Sequence, residues 1–258
     1  MEAFLRTVSI MWYRQIKRFV RARSRVIGSI VQPIFWLILF GLGFSRSFGM
    51  MSTGAARNNI EYLPFLVPGV VMMSVFMGSF MSGVSVIWDK EFGFLKEVLV
   101  APVPREATIL GRALGDSTTS VIRGVLILLL SSLIAPNINL ARTPMVLVSM
   151  LFVAICFTSV GIILGSVMTS MEGFQLINTF ISMPILFLSG AFYPVETMPK
   201  WMRAIAMANP LTYGVDGARI ALTGVGMNAL WFDIAMLIVT SAIFVSISAW
   251  VFRRTTIE

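Results

Sequence analysis

Residues 145–170, MVLVSMLFVAICFTSVGIILGSVMTS, contain no charged side chain. The hydrocarbon core of a bilayer is about 30 Å thick, and a helix needs roughly 20 apolar residues to cross it. No water is available there for the backbone, so a helix is the structure that satisfies every backbone hydrogen bond within the segment. This stretch therefore predicts a transmembrane helix and decides the fold class of the chain.

Five further apolar stretches accompany this one along the sequence. The six predicted spans are 26–45, 65–88, 108–135, 145–170, 173–193 and 230–252. The 57% hydrophobic content, the 12% charged content and the mean hydropathy of +0.87 lie far from the values of a soluble domain. We therefore expect an all-α integral membrane protein with six transmembrane helices.

The basic residues predict the orientation of these helices. Of 20 Lys and Arg residues, thirteen lie on the side of the chain termini and six on the opposite side. The positive-inside rule places the more basic side, and with it both termini, in the cytoplasm. Membrane flanks of this kind account for the net charge of +8, so we expect no nucleic-acid partner.

An amphipathic pattern occupies residues 1–25. At 100° per residue, one stripe is apolar and comprises Leu5, Val8, Trp12, Ile16 and Phe19. Basic side chains cluster opposite, at Arg14, Lys17, Arg18, Arg21 and Arg25. Such a helix lies along the inner leaflet and contacts membrane lipid. We expect a cytoplasmic interfacial helix before a six-span domain over 26–258; a charged flank without a defined helix is the alternative.

A charged segment at about 89–101 follows the second predicted span. Phe92, Leu95 and Leu99 fall at i, i+3 and i+7, on one face of a helix. Gly93 allows close approach, and Pro102 ends the helix. The charges around it come from Asp89, Lys90, Glu91, Lys96 and Glu97. A helix of about ten residues is marginal alone in water, so the segment predicts a docking surface for another protein.

Several kinds of chemistry are excluded by residue types that the sequence lacks. The chain has no histidine, which removes His-dependent hydrolases and His-ligated metal sites. Its single Cys156 lies within an apolar run and has no second cysteine to pair with. No Gly-x-x-x-x-Gly-Lys-Ser/Thr phosphate loop is present, so no ATP site of that kind is expected. We expect no catalytic residue, no metal and no cofactor in this chain.

An external segment, about 194–228, separates the fifth and sixth predicted spans. Pro199 suits the first turn of a helix in which Trp201 and Ile205 repeat at i, i+4, and Asn209 with Pro210 ends it. A second short helix is predicted from about 211 to 222. Because both pieces are too amphipathic to span, we expect re-entrant helices that dip into the outer leaflet.

Three passages together resemble one family, the type-2 ABC export permeases. The first is Asp89–Glu97 with the following Ala101–Arg105, which is similar to the family's cytoplasmic coupling segment. The second is Leu188–Pro199 and the third Asn209–Arg219, which are similar to its external re-entrant helices. The external residues singled out are Gly190, Pro194, Pro199, Trp201, Asn209, Pro210, Tyr213, Gly217 and Arg219. The six-span layout extends the resemblance over nearly the whole chain.

The resemblance implies a transport subunit, not an enzyme, in the cytoplasmic (inner) membrane of a prokaryote. Two permease chains, expected to be identical, would pair and receive two separate ATPase subunits, which would bind ATP and Mg. A hydrophobic or amphipathic substrate, such as a drug, lipid, glycolipid or polysaccharide, would move outward. In the coupling segment, Glu91 and Glu97 would contact basic groups on the ATPase, while Phe92, Leu95 and Leu99 would seat the helix.

Five polar side chains within the predicted spans are candidates for the translocation path. Asp116 and Arg123 lie in the third span, and Gln175, Asn178 and Ser182 lie at i, i+3 and i+7 of the fifth. An Arg at a helix centre costs about 2.5–3.5 kcal/mol on insertion scales, so it should face protein or water. Helix packing would also explain the polar residues of the fifth span, and snorkelling or a structural polar contact would explain Arg123. A secondary transporter and a membrane-embedded lipid-modifying enzyme remain as alternative functions.

Overall fold

A computed structural model of the protein describes residues 2–43, 62–91, 105–135, 137–168 and 170–254. Within these ranges the chain is helical, with short 3₁₀ turns at Leu140–Arg142 and Val195–Thr197 and no β-strand. The helices are α1 (Glu2–Arg21), α2 (Arg23–Gly43), α3 (Tyr62–Phe80), α4 (Ser82–Glu91), α5 (Arg105–Ile134), α6 (Thr143–Val167), α7 (Met171–Phe187), α8 (Lys200–Ala208), α9 (Pro210–Thr223) and α10 (Leu230–Arg254). The expectation of an all-α integral membrane protein is confirmed.

Four segments of the described ranges are long and apolar enough to cross a membrane. They are Tyr62–Trp88, Leu110–Ile134, Leu140–Val167 and Leu230–Val251. A fifth span results if α1 and α2, which meet at a bend of 71°, are counted together. The protein is therefore a multi-pass membrane protein, and four of the six predicted spans are recovered as separate spanning segments.

Helix α7 departs from the fifth predicted span. That span was expected over 173–193, but the helix ends at Phe187 and the chain turns at Gly190, whose φ is +74°. At 1.5 Å per residue its 17 residues rise about 25 Å, which is short for a hydrocarbon core of about 30 Å. The predicted end of this span is therefore wrong, and its crossing of the membrane stays a prediction.

The core forms where α3 and α6 cross. The ring of Phe76 on α3 packs edge-on against Phe157 of α6, with 4.6 Å between the ring centroids. Further along, Gly83 of α4 faces Gly161 and Gly165 of α6 so closely that a Cβ atom on any of the three would meet backbone atoms of the facing helix. Small residues of this kind let membrane helices approach backbone to backbone.

Helix α9 lies inside the helix bundle. Eleven of its 14 residues are buried, and it packs against α3, α6 and α10. Protein covers most of this helix, and its predicted dip into the outer leaflet stays a prediction. Its burial places two charged residues, Asp216 and Arg219, inside the bundle, with 3% and 6% of their surface exposed. Buried charges need partners, so neighbouring groups of the protein must bind both side chains.

Candidate functional site

The N-terminal helix α1 is seated on the first half of α5. A Cβ atom at Gly111 would lie 2.6 Å from the carbonyl oxygen of Val8, and one at Gly115 would lie 2.6 Å from the Cβ of Gln15. The two glycines are four residues apart, so they lie on the same face of α5. The fold thus fixes α1 against protein and not only against lipid.

The predicted apolar stripe of α1 is divided between these two environments. Val8 faces α5, whereas Leu5 is 62% exposed. Trp12 is 38% exposed, and its indole Nε1 donates a hydrogen bond of 3.1 Å to Thr118 Oγ1 on α5. An exposed apolar row on a basic helix suits the membrane interface, so the interfacial placement of α1 remains our expectation.

The same helix reaches the end of the second span. The guanidinium carbon of Arg18 lies 5.4 Å from the centroid of the Trp88 ring, a cation–π contact. Trp88 lies three residues before Glu91, the last residue of α4. Helix α1 therefore contacts the chain directly before the predicted coupling segment.

The coupling residues themselves are described only at their start. Asp89, Lys90 and Glu91 form the end of α4, so the predicted helix begins as a continuation of the second span. The remaining residues of that prediction lie outside the described residues: Phe92, Gly93, Leu95, Lys96, Glu97 and Leu99. Their role in docking an ATPase stays a prediction.

Arg123, a candidate for the translocation path, contacts two other helices. Its guanidinium carbon lies 4.9 Å from the centroid of the Phe19 ring on α1. Its Nη1 lies 2.8 Å from where a Cβ on Gly78 of α3 would be, so the missing side chain of that glycine leaves room for the guanidinium. These contacts favour a structural role for Arg123, one of the alternatives above. Asp116, two turns earlier on the same face of α5, is half-buried.

The polar residues of α7 do not all face the same way. Ser182 is 3% exposed and donates a hydrogen bond of 3.0 Å to Asn178 Oδ1, whereas Gln175 is exposed. Ser182 is one of only three buried residues in this helix, the others being Phe174 and Leu186. The part of α7 that carries the three path candidates is thus only lightly packed against the bundle.

An apolar row covers the outward side of α7. Its members are Leu176, Phe180, Met183 and Phe187, which are 62%, 77%, 49% and 43% exposed. They follow each other at intervals of four, three and four residues, so they form one stripe of the helix. This face is available for lipid or for another protein chain.

The predicted external residues converge on the start of α9. Asn209 caps this helix through Oδ1, which accepts a 3.0 Å hydrogen bond from the Leu211 amide, and Pro210 occupies the first helical position. The hydroxyl of Tyr213 donates a 2.6 Å hydrogen bond to the carbonyl of Met207 in α8. Further along, a Cβ on Gly217 would lie 3.0 Å from Ser149 Oγ, so α9 approaches α6 closely here.

Arg219 joins α9 to two other parts of the external end. Its Nη2 donates a 2.7 Å hydrogen bond to the carbonyl of Gly190, and its guanidinium carbon lies 3.9 Å from the centroid of the Phe65 ring on α3. Burial lowers the pKa of Arg219 to about 10, against the opposing effect of the carboxylates of Asp216 and Glu196. The guanidinium therefore stays charged at neutral pH.

Helix α8 is the part of the external segment that stays on the surface. Pro199, predicted in its first turn, stands at the N-cap position directly before Lys200. Trp201 and Ile205 are 66% and 49% exposed, while Ala206 is buried beneath them. Pro194 stands at the start of the preceding 3₁₀ turn. An exposed Trp beside basic Lys200 suits the outer membrane interface.

A buried carboxyl pair was missed by the sequence analysis. Asp216 on α9 accepts hydrogen bonds from the amides of Met227 at 2.8 Å and Asn228 at 2.9 Å. Asn228 Nδ2 in turn donates a 2.9 Å hydrogen bond to Asp233, which is fully buried in α10. The pair joins α9, the following loop and α10. Asp216 lies in the passage Asn209–Arg219, one helical turn before Arg219. This spacing of an acidic and a basic residue was the indication in the sequence that Asp216 belongs to a buried polar group.

Comparison with known proteins agrees with this architecture. Residues 6–223 match the profile of the ABC-2 type transporters. The chain is 31% identical to ycf38 of Cyanophora paradoxa, named as a transport permease, over 84% of this chain and 74% of the relative. It is 26% identical to the inner membrane transport permease YadH of Escherichia coli K12, over 89% and 88% of the two chains. It is also 26% identical to the daunorubicin resistance ABC transporter permease protein DrrB1 of Streptomyces coeruleorubidus, over 94% and 83%. This chain belongs to the ABC-2 type transporter family and is a membrane permease subunit.

Proposed function

We propose that this permease is half of the membrane part of an ATP-driven exporter. Two identical permease chains pair, and two separate ATPase subunits, which hold ATP and Mg, dock on their cytoplasmic face. Both termini lie in the cytoplasm, as the excess of basic residues on their side favours. The observation that carries the proposal is the contact of α1, through Arg18, with Trp88 directly before the charged segment at 89–101.

This contact supports a route for mechanical coupling. A force that the ATPase exerts on residues 89–91 acts directly on α4, because these residues form the end of that helix. From α4 it passes through backbone contacts at Gly83 to α6, and through Trp88 to α1. Rigid helices in close contact transmit displacement because a packed interior is poorly compressible. The docked ATPase would thus act on the bundle as a whole.

Reversing the charge of Glu91 and Glu97 together should abolish retention of the ATPase subunits. Both carboxylates are expected to meet basic groups on the partner, and like charges at such an interface cost several kcal/mol. The measurement is the amount of ATP-hydrolysing subunit that purifies with the tagged permease in mild detergent. A matched control reverses Lys200 and Arg203, two exposed charges of α8 near the opposite end, and should retain the subunits.

Three outcomes of this experiment would contradict parts of the proposal. Full retention of the ATPase by the Glu91 and Glu97 variant would contradict their role in docking. A wild-type permease that purifies alone under gentle conditions would contradict the ATP-driven exporter and favour a secondary transporter. Loss of the subunits in both variants would show a general assembly defect and remove the support for residues 89–101.

We further propose that the apolar stripe of α7 meets the second permease chain. Its large exposed side chains lie on a helix that buries only three of its 17 residues in its own bundle, so its apolar side is available to a second chain. A cysteine in place of Phe180 should therefore cross-link two chains under mild oxidation in the membrane. A cysteine in place of Leu133, which is 80% exposed on α5, should not. Equal cross-linking at both positions would contradict this interface.

The proposed substrate is hydrophobic or amphipathic. The faces that could line a path beside α7 carry few charges, and Gln175 and Asn178 supply neutral polar groups. A relative, DrrB1, is named for daunorubicin resistance, which favours a drug-sized compound over a polymer. On the external side, the exposed Trp201 and Ile205 favour a place for α8 in the outer membrane interface.

A further inference from the structure

Three backbone carbonyls, one in the last turn of α7 and two in the turn that follows it, are each bound by a side chain from a distant part of the chain. Asn209 Nδ2 donates to the carbonyl of Ile185 at 2.7 Å. Arg219 Nη2 donates to the carbonyl of Gly190 at 2.7 Å, and the hydroxyl of Tyr62 donates to the carbonyl of Phe192 at 3.2 Å. The last carbonyls of a helix, such as that of Ile185, have no partner within the helix, so a side chain that binds one fixes the helix end. The other two bonds fix the turn that follows Phe187. We call Asn209, Arg219 and Tyr62 the carbonyl clamp.

The chain between these carbonyls is also fixed by its shape. Gly190 has a φ of +74°, a conformation that other residues adopt at a cost. A Cβ on Gly69 of α3 would lie 2.8 Å from the Cα of Ala191, so this turn is pressed against the α3 backbone. The ring of Phe192 packs against that of Phe40 on α2, with 5.1 Å between the ring centroids. The external end of α7 is therefore held by α2, α3 and α9.

The rest of α7 is attached very differently. On the cytoplasmic side of Pro184, only Phe174 and Ser182 are buried. Phe174 rests against Gly83 and Phe80 near the start of the helix. Pro184 itself has no amide hydrogen, so the helix lacks one hydrogen bond directly beside the clamp. Within its own chain, α7 therefore has a weakened point between a fixed end and a lightly packed body, which is where bending costs least.

We propose that the carbonyl clamp makes the external end of α7 a fixed pivot, and that the helix on the cytoplasmic side of Pro184 moves in the transport cycle. This inference rests on the proposed function, because it assigns the motion to the step driven by the ATPase. Asn209, Arg219 and Tyr62 are then positioning residues: they act on transport through α7. The three path candidates Gln175, Asn178 and Ser182 travel with the moving part.

Hydrogen–deuterium exchange on the permease–ATPase complex in nanodiscs tests the pivot. The complex is compared without nucleotide and with ATP plus orthovanadate. Amides of 171–183 should change their exchange rate between the two states, whereas amides of 185–193 should exchange at the same rate in both. Equal changes in the two segments, or no change in either, would overturn the pivot.

Two clamp variants separate the proposed role from ordinary stabilisation. Asn209→Ser keeps an oxygen that can cap α9 but removes the donor to Ile185. Arg219→Met keeps much of the length and apolar contact of the side chain but removes the donor to Gly190. Each should speed exchange of 185–193 about tenfold, since a lost hydrogen bond lowers the cost of local opening. Arg219→Lys retains a donor and should restore slow exchange.

The matched control removes a similar bond elsewhere in the bundle. Ser241 Oγ on α10 donates a 2.9 Å hydrogen bond to the carbonyl of Phe152 on α6. Ser241→Ala should leave the exchange of 185–193 unchanged. Clamp variants that behave like Ser241→Ala would overturn the clamp. These variants are compared in the permease alone as well as in the complex, so a failure of the clamp is distinguishable from the absence of an ATPase partner.

Discussion

Replacing Gly83 by alanine is expected to destabilise the bundle by about 3 kcal/mol, the upper part of the usual range for overpacking. The added Cβ would lie 2.8 Å from the carbonyl carbon of Gly161 and 2.6 Å from Cε2 of Phe174. The first contact is with backbone, which cannot rotate away, so α4 and α6 would have to separate. Thermal unfolding of the purified permease in detergent measures the loss.

Gly28→Ala is the matched control for this prediction. A Cβ at Gly28, also within a helix, meets nothing within 4 Å. Alanine there should be neutral or slightly stabilising because it favours the helix. If Gly83→Ala and Gly28→Ala unfold at the same temperature as the wild type, the close crossing of α4 and α6 is not a source of stability. The pair of variants thus isolates the effect of the crossing from the general effect of replacing glycine.

The spans could be predicted where one property of the sequence was sufficient. The uncharged run at 145–170 became α6, Thr143–Val167, since length and hydropathy alone determine such a helix. The end of α7 could not be found in this way. Residues 188–193 are as apolar as the helix before them, and the turn there depends on donors from Tyr62, Asn209 and Arg219. Those donors are distant in sequence, so the turn cannot be predicted from the composition of residues 188–193.

The sequence pattern also did not show what each amphipathic helix packs against. Periodicity showed that α1 has an apolar face, but either lipid or protein can cover such a face. The spacing of Gly111 and Gly115 on α5 was an available indication of a helix contact, because small residues four apart favour one. For α9, the pattern of a short amphipathic helix predicted a piece that dips into the outer leaflet, but it did not show which groups bind the charges of that helix. Asp216 and Arg219 are buried and find their partners in the folded chain.

Replacing Asp216 by alanine is expected to cost about 3–5 kcal/mol, the usual effect of removing one side of a buried polar or charged pair. The carboxylate accepts hydrogen bonds from the amides of Met227 and Asn228, and both amides would lose that acceptor. It also stabilises the charge of the buried Arg219 guanidinium. Unfolding of α9 and the loop to α10 should follow at a lower temperature, measured by thermal denaturation of the purified permease.

Two further variants divide this effect into its causes. Asp216→Asn keeps an acceptor for the loop amides but removes the charge, so it should destabilise less than alanine. Glu196 also acts on the Arg219 charge but is exposed, and water screens its field. Glu196→Ala should therefore change stability by well under 1 kcal/mol, roughly the range for exposed charges. Equal losses for Asp216→Ala and Glu196→Ala would mean that burial of the Asp216 carboxylate contributes nothing. We expect alanine at 216 to be worst, asparagine next and alanine at 196 mildest. The difference between alanine and asparagine at 216 then measures the contribution of the loop amides, and the loss caused by asparagine measures that of the charge.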